Sequence, residues 1–184
     1  MKTRAIDGFL GALLLSLAAG CSAVYAPAPV GERPHAAAPD EWEGVWIHGD
    51  GAVAVSVVDE TNGTIRLGWI EAGDEMERKT LDVVLRESGD WVFASARDPE
   101  KDGSPWLWGR LKKDGARALL WAPDTGRFRA LVEQGALPGS VGEKDGEVLL
   151  GELRPADYEA IRAGANGVLF DWDDPILFRR EVPR

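Results

Sequence analysis

The chain has 184 residues, a formal net charge of −10 and a hydrophobic content of 45%, with eight tryptophans and one cysteine. This composition supports a packed core and excludes an intrinsically disordered chain. The acidic charge disfavours nucleic acid as a partner, and a single cysteine excludes an internal disulfide and a cysteine-type zinc site.

The N-terminal segment has the pattern of an export signal. Lys2 and Arg4 precede an apolar run of about a dozen residues, fewer than the ~20 that a membrane-spanning helix needs. The run ends in Leu17-Ala18-Ala19-Gly20, directly before Cys21. This segment resembles the lipobox of bacterial lipoproteins, although that family more often has leucine where Ala18 stands. A conventional cleavage site beside an unmodified thiol is the alternative.

The lipobox resemblance implies that Cys21 is the lipid-attachment residue and the first residue of the mature protein. Two or more acyl chains, such as palmitate, anchor firmly, at about 0.8 kcal/mol per buried CH₂. Ser22 follows Cys21, where an aspartate tends to retain such lipoproteins in the inner membrane. The resemblance therefore implies an exported protein, anchored to the outer membrane and facing the periplasm of the cell envelope.

Composition divides the chain into three segments. Residues 1–20 are the predicted signal peptide, and residues 21–40 are rich in alanine and proline. Because proline fixes φ and removes a donor, we predict that 21–40 is a lipidated N terminus and an extended tether. Residues 41–184 are predicted to form a single β-rich globular domain.

A series of strand-like runs begins this domain. Apolar residues alternate over 52–60, 64–71, 80–86, 91–97, 106–112 and 116–122. Asn62-Gly63 predicts a type I′ hairpin turn, and Asp114-Gly115 predicts a second tight turn. The mostly β pattern predicts an antiparallel meander that forms a barrel or a strongly curved sheet. Helix-long crossovers are missing from the pattern, so a parallel sheet is not expected.

Gly44-Val45-Trp46 is similar to the G-x-W motif of lipocalins and the wider calycin barrels. The resemblance implies that Gly44 and Trp46 are structural and that the tryptophan closes one end of a barrel. An ordinary strand with an inward-facing tryptophan is the alternative.

The pattern changes after Pro123. Residues 127–134 have apolar side chains at helical spacing before Gly135, which predicts a short helix, with a strand as the alternative. A Gly/Pro loop over 136–145 and a strand over 147–153 follow. Pro155 and Gly164 bound a predicted two-turn helix, and 175–182 is predicted to be an edge or closing strand.

Three features could carry chemistry, and each has a plainer interpretation. His48 would have to serve any catalytic triad in the domain, yet beside Gly-Asp-Gly it is typical of a solvated turn. Residues 98–103 resemble the start of an EF-hand loop, but the position-12 ligand would be Gly109, inside a strand. Asp171 and Asp173 form an acidic cluster around Trp172 that glycan chemistry could use, whereas Asp-Asp-Pro also forms turns. We therefore assign no catalytic residue, cofactor or metal.

The tryptophans are the remaining functional signal. Trp106 and Trp108 share one face of a predicted strand, as Trp91 and Phe93 do on another. Such faces form core, line a ligand cavity or form an exposed patch that binds a partner. The predicted ligand-binding residues are Trp69, Trp91, Trp106, Trp108 and Trp121.

These observations predict a lipid-anchored, non-catalytic binding protein for an apolar or amphipathic small molecule. The first alternative is an accessory or structural lipoprotein that docks another envelope protein through an aromatic patch. A glycan-acting enzyme using Asp171 and Asp173 is the second alternative.

Overall fold

The computed structural model describes residues 23–49, 51–72, 76–98, 103–142, 147–163, 169–170 and 172–181. Most of these residues belong to strands, as the alternating pattern predicts. The strands are β1 (Ala23–Ala26), β2 (Arg33–Pro34), β3 (Gly44–His48), β4 (Gly51–Asp59), β5 (Thr64–Ala72), β6 (Met76–Ser88), β7 (Trp91–Arg97), β8 (Trp106–Asp114), β9 (Arg117–Trp121), β10 (Gly139–Val141), β11 (Glu147–Leu150) and β12 (Ile176–Arg180). The helices are α1 (Pro39–Trp42), α2 (Thr125–Glu133) and α3 (Pro155–Arg162).

Eight strands close into an antiparallel barrel, which confirms the predicted fold class. Strands β3 to β9 pair in chain order as a meander. The last strand, β12, then pairs with both β9 and β3, so the C-terminal segment closes the ring as predicted. An eight-stranded barrel is just wide enough to be filled by side chains or to hold one small ligand.

One end of the barrel is covered by α1 and the residues before it. Trp46 is 2% exposed, and its indole N–H donates to the Trp42 carbonyl oxygen at 2.8 Å. The two indole rings lie 6.0 Å apart, and Ala37 beside them is fully buried. Trp46 therefore lies at the covered end of the barrel, and the resemblance to calycin barrels stays a prediction.

A side sheet of β1, β11 and β10 covers the outer face of the barrel next to β8. β1 pairs antiparallel with the start of β8 and parallel with β11, a parallel pairing that the sequence did not predict. Together with α2, α3 and Phe170, this sheet encloses a second core on the outside of the barrel, which we call the outer core. Its largest buried members are Phe93, Trp108, Phe128, Tyr158 and Phe170.

The tether predicted over 21–40 is wrong for the residues that the structure describes. Val24, Ala26 and Val30 are each at most 3% exposed. The Val30 N–H donates to the Ser95 hydroxyl at 3.1 Å, and His35 Nδ1 lies 2.7 Å from the Glu87 carboxylate. Proline and alanine do favour an extended chain, but an extended chain can also pair with the open edge of β8.

The hairpin at Asn62-Gly63 is confirmed, but its predicted type I′ turn is wrong. That turn needs positive φ at two successive residues, and Ser104 is the only described non-glycine residue with positive φ. The loop instead spans residues 60–63, with Gly63 at φ +68°. The Asp59 carboxylate accepts from the backbone N–H and the side-chain amide of Asn62 at 3.0 and 2.8 Å, which stabilises the longer loop.

The remaining local predictions hold with shifted boundaries. Gly115 has φ +54° in the tight turn before β9, and both predicted helices, α2 and α3, are present. β6 begins at Met76 instead of residue 80, and β10 lies inside the predicted loop over 136–145. The additional residues of β6 pair with β5, and β10 pairs with β11. A local sequence pattern contains no information about this pairing.

Candidate functional site

The barrel is hollow, with an internal cavity of about 120 Å³. All eight barrel strands contribute apolar side chains to its wall. For comparison, an engineered apolar cavity of about 150 Å³ in another protein stays dry and binds benzene. The cavity can therefore accept a small apolar molecule or the end of an acyl chain.

The space arises from small residues on one side of the barrel. Ala94, Ala96 and Gly109 face the interior from β7 and β8, and Ala118 faces it from β9. A side chain at Gly109 would be obstructed, because a Cβ there would lie 2.6 Å from the Trp121 carbonyl oxygen. Valine, leucine, isoleucine and tryptophan side chains form the opposite wall, but they do not fill the gap.

Trp69 is the predicted ligand-binding tryptophan whose strand position faces the cavity. It follows Ile65 and Leu67 on the inner face of β5, toward the end of the barrel away from α1. Its indole N–H is fully buried and has no hydrogen-bond partner among the described residues. An unpaired buried donor costs about 1–3 kcal/mol, so a ligand oxygen that accepted this hydrogen bond would be favoured.

Trp108 touches the cavity wall, but its ring packs into the outer core. The ring lies 5.8 Å from Phe93, 5.4 Å from Phe128 and 5.8 Å from Phe170, in edge-to-face contacts. Trp106 also faces outward, and the Arg97 guanidinium lies 4.7 Å from its ring. Alternation along β8 places the two tryptophans on one face, as predicted, but that face is outside the barrel.

Trp91 and Trp121 lie outside the barrel and surround Arg110, together with Trp172. We call these four residues the Arg110 cluster. The guanidinium carbon lies 3.9 Å from the centre of the Trp91 ring, 4.7 Å from that of Trp172 and 5.6 Å from that of Trp121. The Trp121 and Trp172 rings are 5.0 Å apart. Burial lowers the pKa of the Arg110 guanidinium, and the Asp90 carboxylate partly opposes this shift.

The sequence analysis did not identify Arg110, and it considered Trp172 only as the neighbour of Asp171 and Asp173. A signal for Arg110 is present, because Trp106, Trp108 and Arg110 alternate along one face of a predicted strand. The contribution of Trp172 has no local signal, since it comes from a segment far along the chain.

The tryptophans do not form the exposed aromatic patch on which the docking alternative depends. Each of the eight is buried or half-buried. The most exposed large hydrophobic side chains in the described part of the chain are Met76 at 84%, Ile70 at 68% and Val58 at 50%.

The structure describes only some of the residues that the sequence analysis named as candidates for catalysis, metal binding or lipid attachment. His48 Nδ1 lies 3.1 Å from the Leu177 carbonyl oxygen, and its ring is 5.2 Å from that of Phe178. Asp173 is exposed, whereas Asp171, residues 99–102 of the EF-hand-like loop and Cys21 lie outside the described residues. Across the described ranges, no group of three or more His, Cys, Asp or Glu side chains is placed to hold a metal ion.

No helix in the described part of the chain is long and apolar enough to cross a membrane. Comparison of the chain with protein-family models, curated proteins and solved structures finds no significant match. The proposed function therefore rests on the barrel and its cavity.

Proposed function

We propose that this protein is a binding protein of the cell envelope, anchored through Cys21, whose barrel holds a small apolar ligand or the apolar end of an amphiphile. The observation that carries the proposal is the apolar cavity of about 120 Å³ inside a closed barrel. Side-chain interiors are normally close-packed, so a void of this size forfeits contacts that a ligand would restore.

The cavity dimensions favour a small ligand. Pockets for drug-sized molecules measure about 300–1,000 Å³, so a volume of about 120 Å³ suits a small molecule or one end of a longer chain. Each buried CH₂ contributes about 0.8 kcal/mol. The unpaired Trp69 indole N–H favours a ligand with an oxygen acceptor, such as an alcohol, a carbonyl compound or a fatty acid.

A ligand series with a cavity-filling variant tests the barrel proposal. We expect 1-butanol, 1-hexanol and 1-octanol to change the Trp69 indole resonance saturably, with affinity rising along the series until the cavity is full. Ala96→Leu should abolish the change, because the added side chain occupies the cavity. Ala54→Leu is the matched control, since Ala54 is exposed on the outer face of β4. Equal binding by Ala96→Leu and the wild type, or no binding by the wild type, would refute the proposal.

The anchor is tested separately. Cys21→Ala should abolish incorporation of labelled palmitate and release the protein into the soluble fraction, while alcohols still bind the barrel. A variant that still incorporates label and still fractionates with membranes would show that the lipoprotein assignment is wrong.

A further inference from the structure

Arg110 is a half-buried cation without a counter-ion among the described residues. It takes part in no ion pair within 4.0 Å in that part of the chain, and Asp90 influences it only at longer range. Two other half-buried arginines, Arg86 and Arg180, have hydrogen-bond acceptors. Arg86 donates to the Gly31 and Glu32 carbonyl oxygens, and Arg180 donates to the Asp40 carbonyl oxygen.

No described residue accepts a hydrogen bond from the end of the Arg110 guanidinium. Of the Arg110 nitrogens, Nε is fully buried without a partner, whereas neither Nη belongs to the fully buried, unpaired atoms. Since Arg110 makes no hydrogen bond within the described chain, its Nη groups keep access to solvent. The Trp121 indole N–H beside it is also buried without a partner among the described residues.

Stacking on tryptophan does not by itself satisfy these donors. A cation over an aromatic face gains about 0.5–2 kcal/mol, but the guanidinium N–H groups still need acceptors. Arg97 provides the contrast. Among the described residues it stacks on one ring, that of Trp106, and its Nη1 donates to the Ser104 carbonyl oxygen at 3.3 Å. Arg110 instead has three tryptophan rings within 5.6 Å of its guanidinium carbon, and these restrict the movement of its side chain.

We infer that the Arg110 cluster is a second binding site, separate from the barrel cavity, for the carboxylate of a small molecule with an apolar or aromatic body. A guanidinium presents paired N–H donors that match a carboxylate in a bidentate arrangement. Trp91, Trp121 and Trp172 supply apolar faces for the rest of the molecule. Arg110 is a single cation in a chain of net charge −10. We therefore expect the site to prefer a ligand with one negative charge over a phosphate dianion or a polyanion.

Matched ligands test both parts of this inference by calorimetry on the purified protein. Phenylacetate should bind at least ten-fold more tightly than phenylacetamide, which has the same shape without the charge, and than acetate, which lacks the aromatic body. Added salt should weaken phenylacetate binding. Equal affinity for the acid and the amide would overturn the inference. Tighter binding of phenyl phosphate than of phenylacetate would overturn the choice of carboxylate.

Two substitutions locate the site. Arg110→Lys keeps the charge but loses the paired donors, and it should weaken phenylacetate binding at least five-fold. Arg97→Gln is the matched control and should leave the affinity unchanged; an equal loss in both variants would overturn the assignment. If Arg110→Lys does not fold, the side-chain Nε resonance of wild-type Arg110 decides, because phenylacetate must shift it and phenylacetamide must not. Ala96→Leu should still bind phenylacetate, which separates this site from the barrel.

Discussion

Gly63 lies where the N-terminal segment passes close to the barrel backbone. Its φ is +68°, and its carbonyl oxygen accepts from the Leu85 N–H at 2.8 Å. A Cβ at this position would overlap the His35 carbonyl oxygen and lie 2.7 Å from the Leu85 carbonyl oxygen. Both the left-handed conformation and the close approach of the backbone at His35 and Leu85 therefore require glycine.

Gly63→Ala should destabilise the protein more than the equivalent change in an open turn. Gly115 is the matched control, with φ +54° and nothing within 4 Å of an added Cβ. We expect Gly115→Ala to cost about 1–2 kcal/mol, from the conformation alone, and Gly63→Ala to cost at least about 1 kcal/mol more. Urea denaturation measures both values, and equal losses would show that the close approach at Gly63 has no energetic effect.

Tyr25 gives the protein an alkaline-sensitive contact. Its hydroxyl donates to the Asp98 carboxylate at 3.2 Å, and the side chain is buried. Burial, and then the Asp98 charge, raise the pKa of Tyr25 to about 12. The unfolded chain has an ordinary tyrosine pKa of about 10. Between these values the unfolded chain has released a proton that the folded chain keeps, so stability falls as pH rises.

Tyr25→Phe should therefore flatten the alkaline limb of the stability curve. The wild type should lose up to about 1.4 kcal/mol per pH unit from this group above pH 10 and nothing from it below. The variant should lose less over the same range, although Tyr158, whose pKa burial also raises, keeps its own contribution. Urea denaturation at pH 8, 10 and 11 measures the slopes. Identical slopes above pH 10 would contradict the assignment.

At the scale of the elements, Trp108 connects the barrel to its outer layer. Its ring contacts Phe93 of β7, Phe128 of α2 and Phe170 near the C terminus. These contacts explain why β7 and β8 are apolar on both faces. One face lines the cavity, and the other is covered by the side sheet and the helices.

Trp108→Ala should cost about 3–5 kcal/mol, as large-to-small changes at buried aromatic positions do. Trp106→Ala is the control, because Trp106 lies on the same face of β8 but is only half-buried and stacks on Arg97. We expect it to cost less than about 2 kcal/mol. If Trp108→Ala kept wild-type stability and lost ligand binding, the prediction from sequence that Trp108 lines a ligand cavity would be right.

Local signals account for the elements that could be predicted from sequence. Alternation predicted β7 with its observed bounds, and Gly135 with Pro155 predicted the two helices, because each signal lies within the element it specifies. The faces of β7 and β8 were not predictable in the same way. When both faces are apolar, alternation shows which side chains share a face but not which face is inside.

The cavity and the Arg110 cluster depend on distant parts of the chain. The cavity volume is set by side chains from eight strands, and its small residues, such as Ala94 and Ala118, carry no signal of their own. The cluster needs β7, β8 and β9 side by side, with Trp172 added from a later segment. Composition also misassigned 23–40, because it does not reveal that β8 has an open edge.

At the scale of the whole molecule, the N-terminal segment is part of the fold. β1 begins at Ala23, so only Ser22 separates it from Cys21. If Cys21 is lipidated, the domain would lie against the bilayer, whereas a tether of nearly twenty residues could hold it tens of ångströms away.

Truncation distinguishes a structural N-terminal segment from a tether. A chain that starts at Asp40 loses Val24, Ala26 and Val30 from the outer core, and each fully buried apolar side chain of valine size contributes about 1.5–3 kcal/mol. It also leaves the edges of β8 and β11 unpaired beside that core, which favours aggregation. We therefore expect the Asp40–Arg184 chain to be at least about 3 kcal/mol less stable than the Ser22–Arg184 chain, or to aggregate. Limited proteolysis of the longer chain should give no cleavage within 23–38, whereas a tether would be cut first. Equal urea midpoints for the two chains, with rapid cleavage in that segment, would restore the tether and contradict the role of β1 in the fold.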